Sequence, residues 1–488
     1  MFSDFFFFFS AKIETEEYAY HPINAYHLLQ RTKKWMPKLM KLLPDLKFQF
    51  NFPSHFDANV GSAIGISDLQ EYHNLDPEDI MHGKITNYLT KEAFYSKSKL
   101  TSNDALKIAS AAKESGYLEN YVTWLQTALK FAKQENKPEK IWKNIKKLIK
   151  AGKKDHDEYY LTLDLQRPLV TKPLKTMEVT YKQSSQTANS EHIFAYLKRL
   201  SENNFGNLLK NMNRTHFEGL DVVQRMSIFL RRRTQKLCRG TYQRPMTLDK
   251  DLFCYWVHHE NPYLKLGPFK FEKLQNQPEI GYIHEFTSDQ ELSQIKKSAS
   301  GHMKSTPFRD GTSNKERSYS KLRTSKVMYI NEKFVPFMQP ISKRITLATK
   351  FKMKEDKHAT ENFQIMNYGM GGRIEAHLDT LGKSNDPTSA EKNIYGGSRI
   401  TTFMLYLSDV QAGGHTVFPQ AGIHVKPKAG SALYWFNFGA QMTHDTRVVH
   451  LGCPVLYGNK WIANKWVKFL SQFKEYPCSL TKEYFTMT

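Results

Sequence analysis

Past Cys238 the chain is cut into short apolar and β-branched runs by paired glycines, and this alternation restricts its fold more than any other feature. Gly371-Gly372, Gly396-Gly397, Gly413-Gly414 and Gly458-Asn459 punctuate the segments 280–286, 326–330, 363–368, 400–407, 431–438 and 461–469. Runs this short, bounded by turn residues, read as strands, because a helix needs roughly ten or more residues to bury a face. Several such strands in succession predict a β-rich domain with antiparallel connections, a jelly roll or a barrel.

The upstream half carries a different period. From about 22 to 165 the pattern is helical: Leu106, Ala109 and Ala112 precede a break at Gly116, and Val122, Leu125, Ala128 and Leu129 follow it. That spacing predicts a helix, a turn and a helix, with a further helix over 139–151. Gly116 and Ala128 stand at the separation at which a tetratricopeptide unit places its turn glycine and its small packing residue, and a plain helical hairpin fits the same residues. Pro168, Pro173 and the run Gln183-Ser184-Ser185-Gln186-Thr187 mark a linker, and a helical segment follows over about 190–236.

With 488 residues, 40% of them hydrophobic and 13% aromatic, the chain can build several cores and is not a disordered one. Lys and Arg outnumber Asp and Glu by 70 to 48, a formal net charge of +22. No nucleic-acid motif accompanies the excess, and runs such as Arg231-Arg232-Arg233 read as solvated helix faces. No segment reaches the roughly 18–20 apolar residues of a membrane span. The four cysteines, Cys238, Cys254, Cys453 and Cys478, form two local pairs and no CxxC knuckle. They are expected to bridge as Cys238–Cys254 and Cys453–Cys478, which implies an oxidising compartment.

The chemistry sits in His377-Leu378-Asp379. On a strand, residues two apart share a face, so the imidazole and the carboxylate can reach one metal; on a helix they diverge. An HxD pair alone is weak, and His55-Phe56-Asp57 supplies a decoy that lies between helical segments and has no later partner. A facial triad needs a third ligand from a distant strand, and His450, in the extended run Arg447-Val448-Val449-His450, can supply it. After a turn at Tyr457-Gly458-Asn459, Lys460 starts the returning strand of a hairpin. A buried ammonium there would pair with the carboxylate of a dicarboxylic co-substrate, since burial without an anion is costly.

Taken together these blocks resemble a known family. Asn367-Tyr368-Gly369-Met370-Gly371-Gly372, Glu375-Ala376-His377-Leu378-Asp379, Arg399-Ile400-Thr401-Thr402, Gly413-Gly414-His415-Thr416-Val417-Phe418-Pro419, His450-Leu451-Gly452-Cys453-Pro454 and Gly458-Asn459-Lys460-Trp461 are similar to the catalytic domain of animal collagen prolyl 4-hydroxylase alpha subunits. The resemblance covers about 236–478, and a weaker one extends upstream through His21-Pro22-Ile23-Asn24-Ala25-Tyr26. It implies a multidomain α+β chain: an amino-terminal helical region (1–95), a tetratricopeptide-like peptide-substrate-binding domain (96–165), a linker and helical connection (166–235) and a double-stranded β-helix, or jelly-roll, oxygenase domain (236–488).

The same resemblance implies an Fe(II)- and 2-oxoglutarate-dependent dioxygenase that converts proline in X-Pro-Gly sequences to 4-hydroxyproline, with succinate and CO2 as co-products and L-ascorbate as a supporting reductant. Carried over by motif, His377, Asp379 and His450 hold the iron, Lys460 anchors 2-oxoglutarate, Tyr368 and Thr402 line its pocket, and Arg399 and Trp466 stand at the peptide mouth. Tyr117, Tyr121 and Trp124 are candidate groove aromatics for a polyproline II ligand. One departure is Ile374, where relatives carry a tyrosine near the substrate. Two other readings compete: an oxygenase of the same chemistry acting on another protein, and a catalytically silent peptide-binding subunit.

The family also implies an endoplasmic reticulum location, protein disulfide isomerase as the beta subunit, an alpha2-beta2 assembly and glycosylation at the sequon Asn213-Arg214-Thr215. Phe5 to Phe9 after Asp4 make a poor signal-peptide core, so a start upstream of Met1 is expected.

Overall fold

The computed structural model describes residues 16–42, 61–162, 228–305, 308–309, 316–317, 325–353, 359–380, 397–442, 445–480 and 484–485. The amino-terminal stretch, the His55–Asp57 decoy, most of the proposed linker and Asn213 lie outside them. The chain is mixed helix and sheet, in two compact units: one spans 1–100, 226–307 and 318–488, the other 101–225 and 308–317.

The smaller unit contains helices α4 (Ser102–Glu114), α5 (Leu118–Gln134) and α6 (Glu139–Thr162). Thr101 caps α4 through a reciprocal capping box with Asp104, which satisfies two of its otherwise unpaired amide donors. Gly116, with φ +77°, makes the predicted break between α4 and α5. Ala109, Ala112, Trp124, Leu125 and Ala128 are fully or nearly fully buried. Tyr117 and Tyr121 are 7% and 6% exposed, and the ring of Tyr121 lies against Gly152 of α6. These tyrosines and Trp124 therefore pack the helical core and do not present free rings. The helix that closes over this face is the one expected over 139–151, which runs on to Thr162 and meets Tyr121 at Gly152.

In the larger unit the chain first forms α1 (Pro22–Leu42), α2 (Ser62–His73), a single-turn α3 (Pro77–Met81) and the hairpin β1 (Lys84–Thr86) and β2 (Ala93–Tyr95). After α7 (Ile228–Cys238) come β3 (Cys254–Val257), α8 (Pro262–Leu266), β4 (Phe269–Gln275), β5 (Ile280–His284) and α9 (Asp289–Ala299). Then follow β6 (Lys304–Ser305), the ribbon β7 (Phe308–Arg309) and β8 (Glu316–Arg317) of the smaller unit, β9 (Lys326–Ile330) and α10 (Gln339–Thr349). The strands β10 (Phe363–Tyr368), β11 (Ile374–His377), β12 (Arg399–Tyr406), β13 (Ala412–Gly413), β14 (Thr416–Phe418) and β15 (Ile423–Val425) come next. The series ends with β16 (Ala432–Phe436), β17 (His450–Gly452), β18 (Val455–Tyr457) and β19 (Lys460–Lys468).

Nine strands make one antiparallel sheet in the order β3-β4-β5-β16-β12-β19-β10-β9-β6, and four make a second, β11-β17-β14-β15, an arrangement consistent with a jelly roll. The two-residue alternation decides which core each side chain enters. Phe403 and Leu405 of β12 join a core with Leu292 and Ile295 of α9 and Ile341 and Ile345 of α10, while Met404 and Tyr406 point the other way, into a core with Phe418, Val425 and Val455 of the smaller strands. The active face of the large sheet is the second one, because Thr402, Tyr368, Lys460 and Trp466 share its parity.

The described residues of the amino-terminal segment fall in the same compact unit as the sheets. His73 hydrogen-bonds the Pro454 carbonyl at 2.9 Å, and Phe94 stacks on Tyr457 with ring centroids 4.1 Å apart. Lys460 also differs from expectation: it does not return beside His450 in a hairpin. Its strand pairs with β10 and β12 in the large sheet, and His450 lies in the small one, so the two residues approach from opposite layers.

The cysteine pairing is corrected as well. Cys238 bridges Cys453 across 215 residues, with Cα atoms 5.5 Å apart, and Cys254 and Cys478 are exposed free thiols. The reason is tertiary: α7 packs its end, with Leu237, onto Val417 and Leu451 of the small sheet, whereas Cys254 lies on β3, at the edge of the large sheet. Among the described residues no helix is long and apolar enough to cross a membrane.

Candidate active site

His377 ends β11, Asp379 lies two residues on, and His450 begins β17; the β11–β17 register sets the two histidines directly opposite each other. Their ring centroids are 4.3 Å apart. Asp379 reaches both: Oδ1 is 3.5 Å from His377 Nε2 and Oδ2 is 3.7 Å from His450 Nε2. One ligand atom from each of the three lies within 4.8 Å of the others, and they are the only such His, Cys, Asp or Glu group among the described residues.

Each imidazole is turned by its other nitrogen. His377 Nδ1 bonds the Glu375 carbonyl at 2.7 Å and His450 Nδ1 bonds the Val448 carbonyl at 3.1 Å. A carbonyl can only accept, so Nδ1 carries the proton and the Nε2 lone pair is left for a metal. Burial, followed by the nearby His377, lowers the His450 pKa to about 4, so that ring is neutral at neutral pH and needs to lose no proton to bind a metal. Burial alone would raise the Asp379 pKa, but the adjoining His450, His377 and Arg399 outweigh it and hold the carboxyl ionised.

The Asp379 carboxylate is fixed by two donors from the large sheet: the Thr402 hydroxyl at 2.8 Å and the Trp466 indole N–H at 3.0 Å, both to Oδ2. Thr402 in turn accepts from Asn437 at 3.1 Å. Arg399 lays its guanidinium over the Trp466 ring, 3.6 Å from its centroid, donates to the Asp379 carbonyl at 3.2 Å and pairs with Glu361 at 2.7 Å. The structure thus engages Thr402, Trp466 and Arg399 on the carboxylate ligand. Trp435 closes the site behind His450, edge-on with centroids 4.5 Å apart.

Lys460 stands on β19 opposite Tyr368 of β10 and is 2% exposed. Its ammonium donates to Thr416 Oγ1 at 3.3 Å and lies 5.6 and 5.9 Å from the ring centroids of Tyr368 and Tyr406. Burial lowers its pKa to about 7, which marks a cation with no compensating anion beside it among the described residues. Gly452, two residues after His450 and on the same face of β17, leaves the room between: a Cβ there would sit 3.8 Å from Lys460 Nζ. Thr416 and Gly452 were missed as site residues although both lie inside motif blocks, Gly-Gly-His-Thr and His-Leu-Gly. No period marks them, because their role is proximity across layers.

Two imidazoles and one carboxylate on one side of a metal position define a facial triad of the non-haem Fe(II) type, and the donor set fits that ion. A buried lysine within reach of it fits one end of a dicarboxylate. Residues 363–468 match the 2OG-Fe(II) oxygenase superfamily, so the class is that of 2-oxoglutarate- and Fe(II)-dependent oxygenases. Residues 9–87 match the N-terminal region of prolyl 4-hydroxylase alpha subunits. The chain is 30% identical to prolyl 4-hydroxylase subunit alpha-2 of Gallus gallus, over 96% of this chain and 86% of that one. Against prolyl 4-hydroxylase subunit alpha-1 of Homo sapiens the identity is 28%, over 97% and 87%. The chain belongs to the prolyl 4-hydroxylase alpha-subunit family. Among solved structures, viral collagen prolyl hydroxylase from Paramecium Bursaria Chlorella virus-1 is similar at a TM-score of 0.29 with 22% identity, covering 39% of this chain and 95% of that one.

Proposed function

We propose that this chain is the catalytic alpha subunit of a collagen-type prolyl 4-hydroxylase, acting on proline in X-Pro-Gly sequences. The observation that carries the reading is the buried Lys460 facing the His377, Asp379, His450 group across Gly452, in a chain of this family. Bound Fe(II) and 2-oxoglutarate supply the oxidising chemistry, in which O2 is consumed, 2-oxoglutarate becomes succinate and CO2, and one oxygen reaches proline C4.

The protein's own share is positional. His377, Asp379 and His450 hold the metal, with Thr402 and Trp466 fixing the carboxylate's rotation. Lys460 and Thr416 hold the distal carboxylate of 2-oxoglutarate, with Tyr368 and Tyr406 walling the ammonium from water. His377 is the more open ligand, its side chain 31% exposed, so the peptide approaches from the β11 side, past Ile374. The two facing sheets are read as a double-stranded β-helix, and α4 to α6 as a tetratricopeptide-like module that binds proline-rich chains. L-ascorbate serves as the supporting reductant. The buried Cys238–Cys453 bridge supports work in an oxidising lumen, the endoplasmic reticulum. The relatives' designation as subunits supports a hetero-oligomer, with protein disulfide isomerase as the beta subunit in an alpha2-beta2 assembly.

The test is incubation of the purified protein with Fe(II), 2-oxoglutarate, ascorbate and either Pro-Pro-Gly repeats or a lysine-containing collagen peptide. A gain of one oxygen mass on the proline before glycine is expected. Oxygen on lysine or on another protein would favour the alternative oxygenase reading, and 2-oxoglutarate binding without turnover on any peptide would favour a silent subunit.

A further inference from the structure

We propose that Asp68, on α2 of the amino-terminal segment, is a positioning residue for the iron ligand His377. The inference rests on the iron site proposed above. On the side away from the metal position, His377 is oriented by the bond from Nδ1–H to the carbonyl of Glu375 at 2.7 Å. The direction of that carbonyl depends on how Glu375 is held, and the sheet holds it weakly. β11 pairs with β17 only at Ile374–Gly452 and His377–His450, with a register irregularity between, so Glu375 has no ladder partner in β17.

Side chains do the work instead. The Glu375 carboxylate, in a residue 6% exposed, pairs with the guanidinium of Arg373 and accepts from the Tyr72 hydroxyl at 3.5 Å. Arg373 is 2% exposed, lies over the Tyr72 ring and donates Nε–H to Asp68 Oδ2 at 2.6 Å. Asp68 is wholly buried. A guanidinium clamped between two carboxylates has a fixed plane, because its donors form a rigid fork. The chain Asp68, Arg373, Glu375, His377 therefore runs from an amino-terminal helix to a metal ligand. His73, at the end of α2, grips the Pro454 carbonyl just beyond β17, so α2 braces both strands that bear histidine ligands. Such outer partners set ligand direction, and their loss costs roughly 10–100-fold in metal affinity.

The experiment compares wild type, Asp68→Asn, which keeps shape and removes charge, and Asp68→Glu, which keeps charge. Anaerobic Fe(II) affinity, the d–d absorption of the Co(II) form, the 2-oxoglutarate affinity at saturating metal and thermal unfolding are measured on each, with His377→Ala as reference. Asp68→Asn is expected to bind Fe(II) about tenfold more weakly with shifted Co(II) bands, to keep its 2-oxoglutarate affinity once loaded, and to be partly rescued in Asp68→Glu. A folded Asp68→Asn with wild-type Fe(II) affinity and a superimposable Co(II) spectrum overturns the proposal. Where Asp68→Asn does not fold, Glu375→Gln is measured in the same way and decides by the same criteria. Wild-type protein that binds Fe(II) no better than His377→Ala would sink the iron site itself, a result distinct from failure of the Asp68 role.

Discussion

Binding of 2-oxoglutarate to this protein is expected to take up a proton, and its affinity to fall as pH rises past neutrality. Among the described residues the Lys460 ammonium makes one hydrogen bond, to Thr416, and lies near the rings of Tyr368 and Tyr406, and burial lowers its pKa to about 7. A carboxylate delivered to the ammonium favours the charged form and moves the pKa back up. Apparent affinity then scales with the fraction of free protein already protonated. That fraction is about one half at pH 7, about one tenth at pH 8 and about one thirtieth at pH 8.5, so affinity drops roughly fivefold and then roughly fifteenfold. The direction for stability follows from the same lowered pKa. The unfolded chain binds this proton below about pH 10.4 and the ligand-free fold does not until about 7, so the ligand-free protein loses stability as pH falls through that window, and 2-oxoglutarate reverses the loss. Anaerobic titration calorimetry of the Fe(II)-loaded protein between pH 6.5 and 8.5, in buffers of different ionisation enthalpy, reads both the affinity and the proton count. Lys460→Arg, charged throughout, should give a flat profile. Wild-type affinity that does not change across this range would refute the reasoning.

His377→Ala, Asp379→Ala and His450→Ala should each reduce turnover to a few per cent or less with iron in excess, since each removes one of three protein ligands; higher residual activity in any of them would break the triad. Gly452→Val places methyl groups between Lys460 and the metal position and against Ile374, an overpacking of about 1–3 kcal/mol, so KM for 2-oxoglutarate should rise on the order of tenfold or more while Fe(II) still binds. An unchanged KM would show that the co-substrate does not pass Gly452. Peptide mapping without reductant should recover Cys238 joined to Cys453, with Cys254 and Cys478 open to alkylation, and Cys238→Ala should lower the unfolding temperature, because the bridge closes a loop worth on the order of 5 kcal/mol of chain entropy. Recovery of a Cys453–Cys478 peptide would contradict the packing of α7 on the small sheet.

What the sequence determined by itself is what depends on neighbours along the chain. Period and turn residues located α4 and α5 around Gly116, and β9, β10 and β19 at their observed bounds or within a residue of them, since hydrophobic spacing and backbone freedom act locally. The motif likewise named His377 and Asp379, which the structure brings together although β11 ends at His377 and Asp379 lies beyond the strand, and the Gly458 turn set Lys460 at the head of a strand. The tertiary structure decided everything that turns on which layer faces which. It brought Lys460 to His450 from the opposite sheet, turned Thr402 and Trp466 onto the Asp379 carboxylate, opened the gap at Gly452, joined Cys238 to Cys453 and buried Tyr117 and Tyr121. It also drew α2 into the unit that holds the metal site, through Asp68 and Arg373, which lie 305 residues apart. Contacts of that kind arise from burial of whole faces, which constrains residues far apart in sequence and leaves no period at either one.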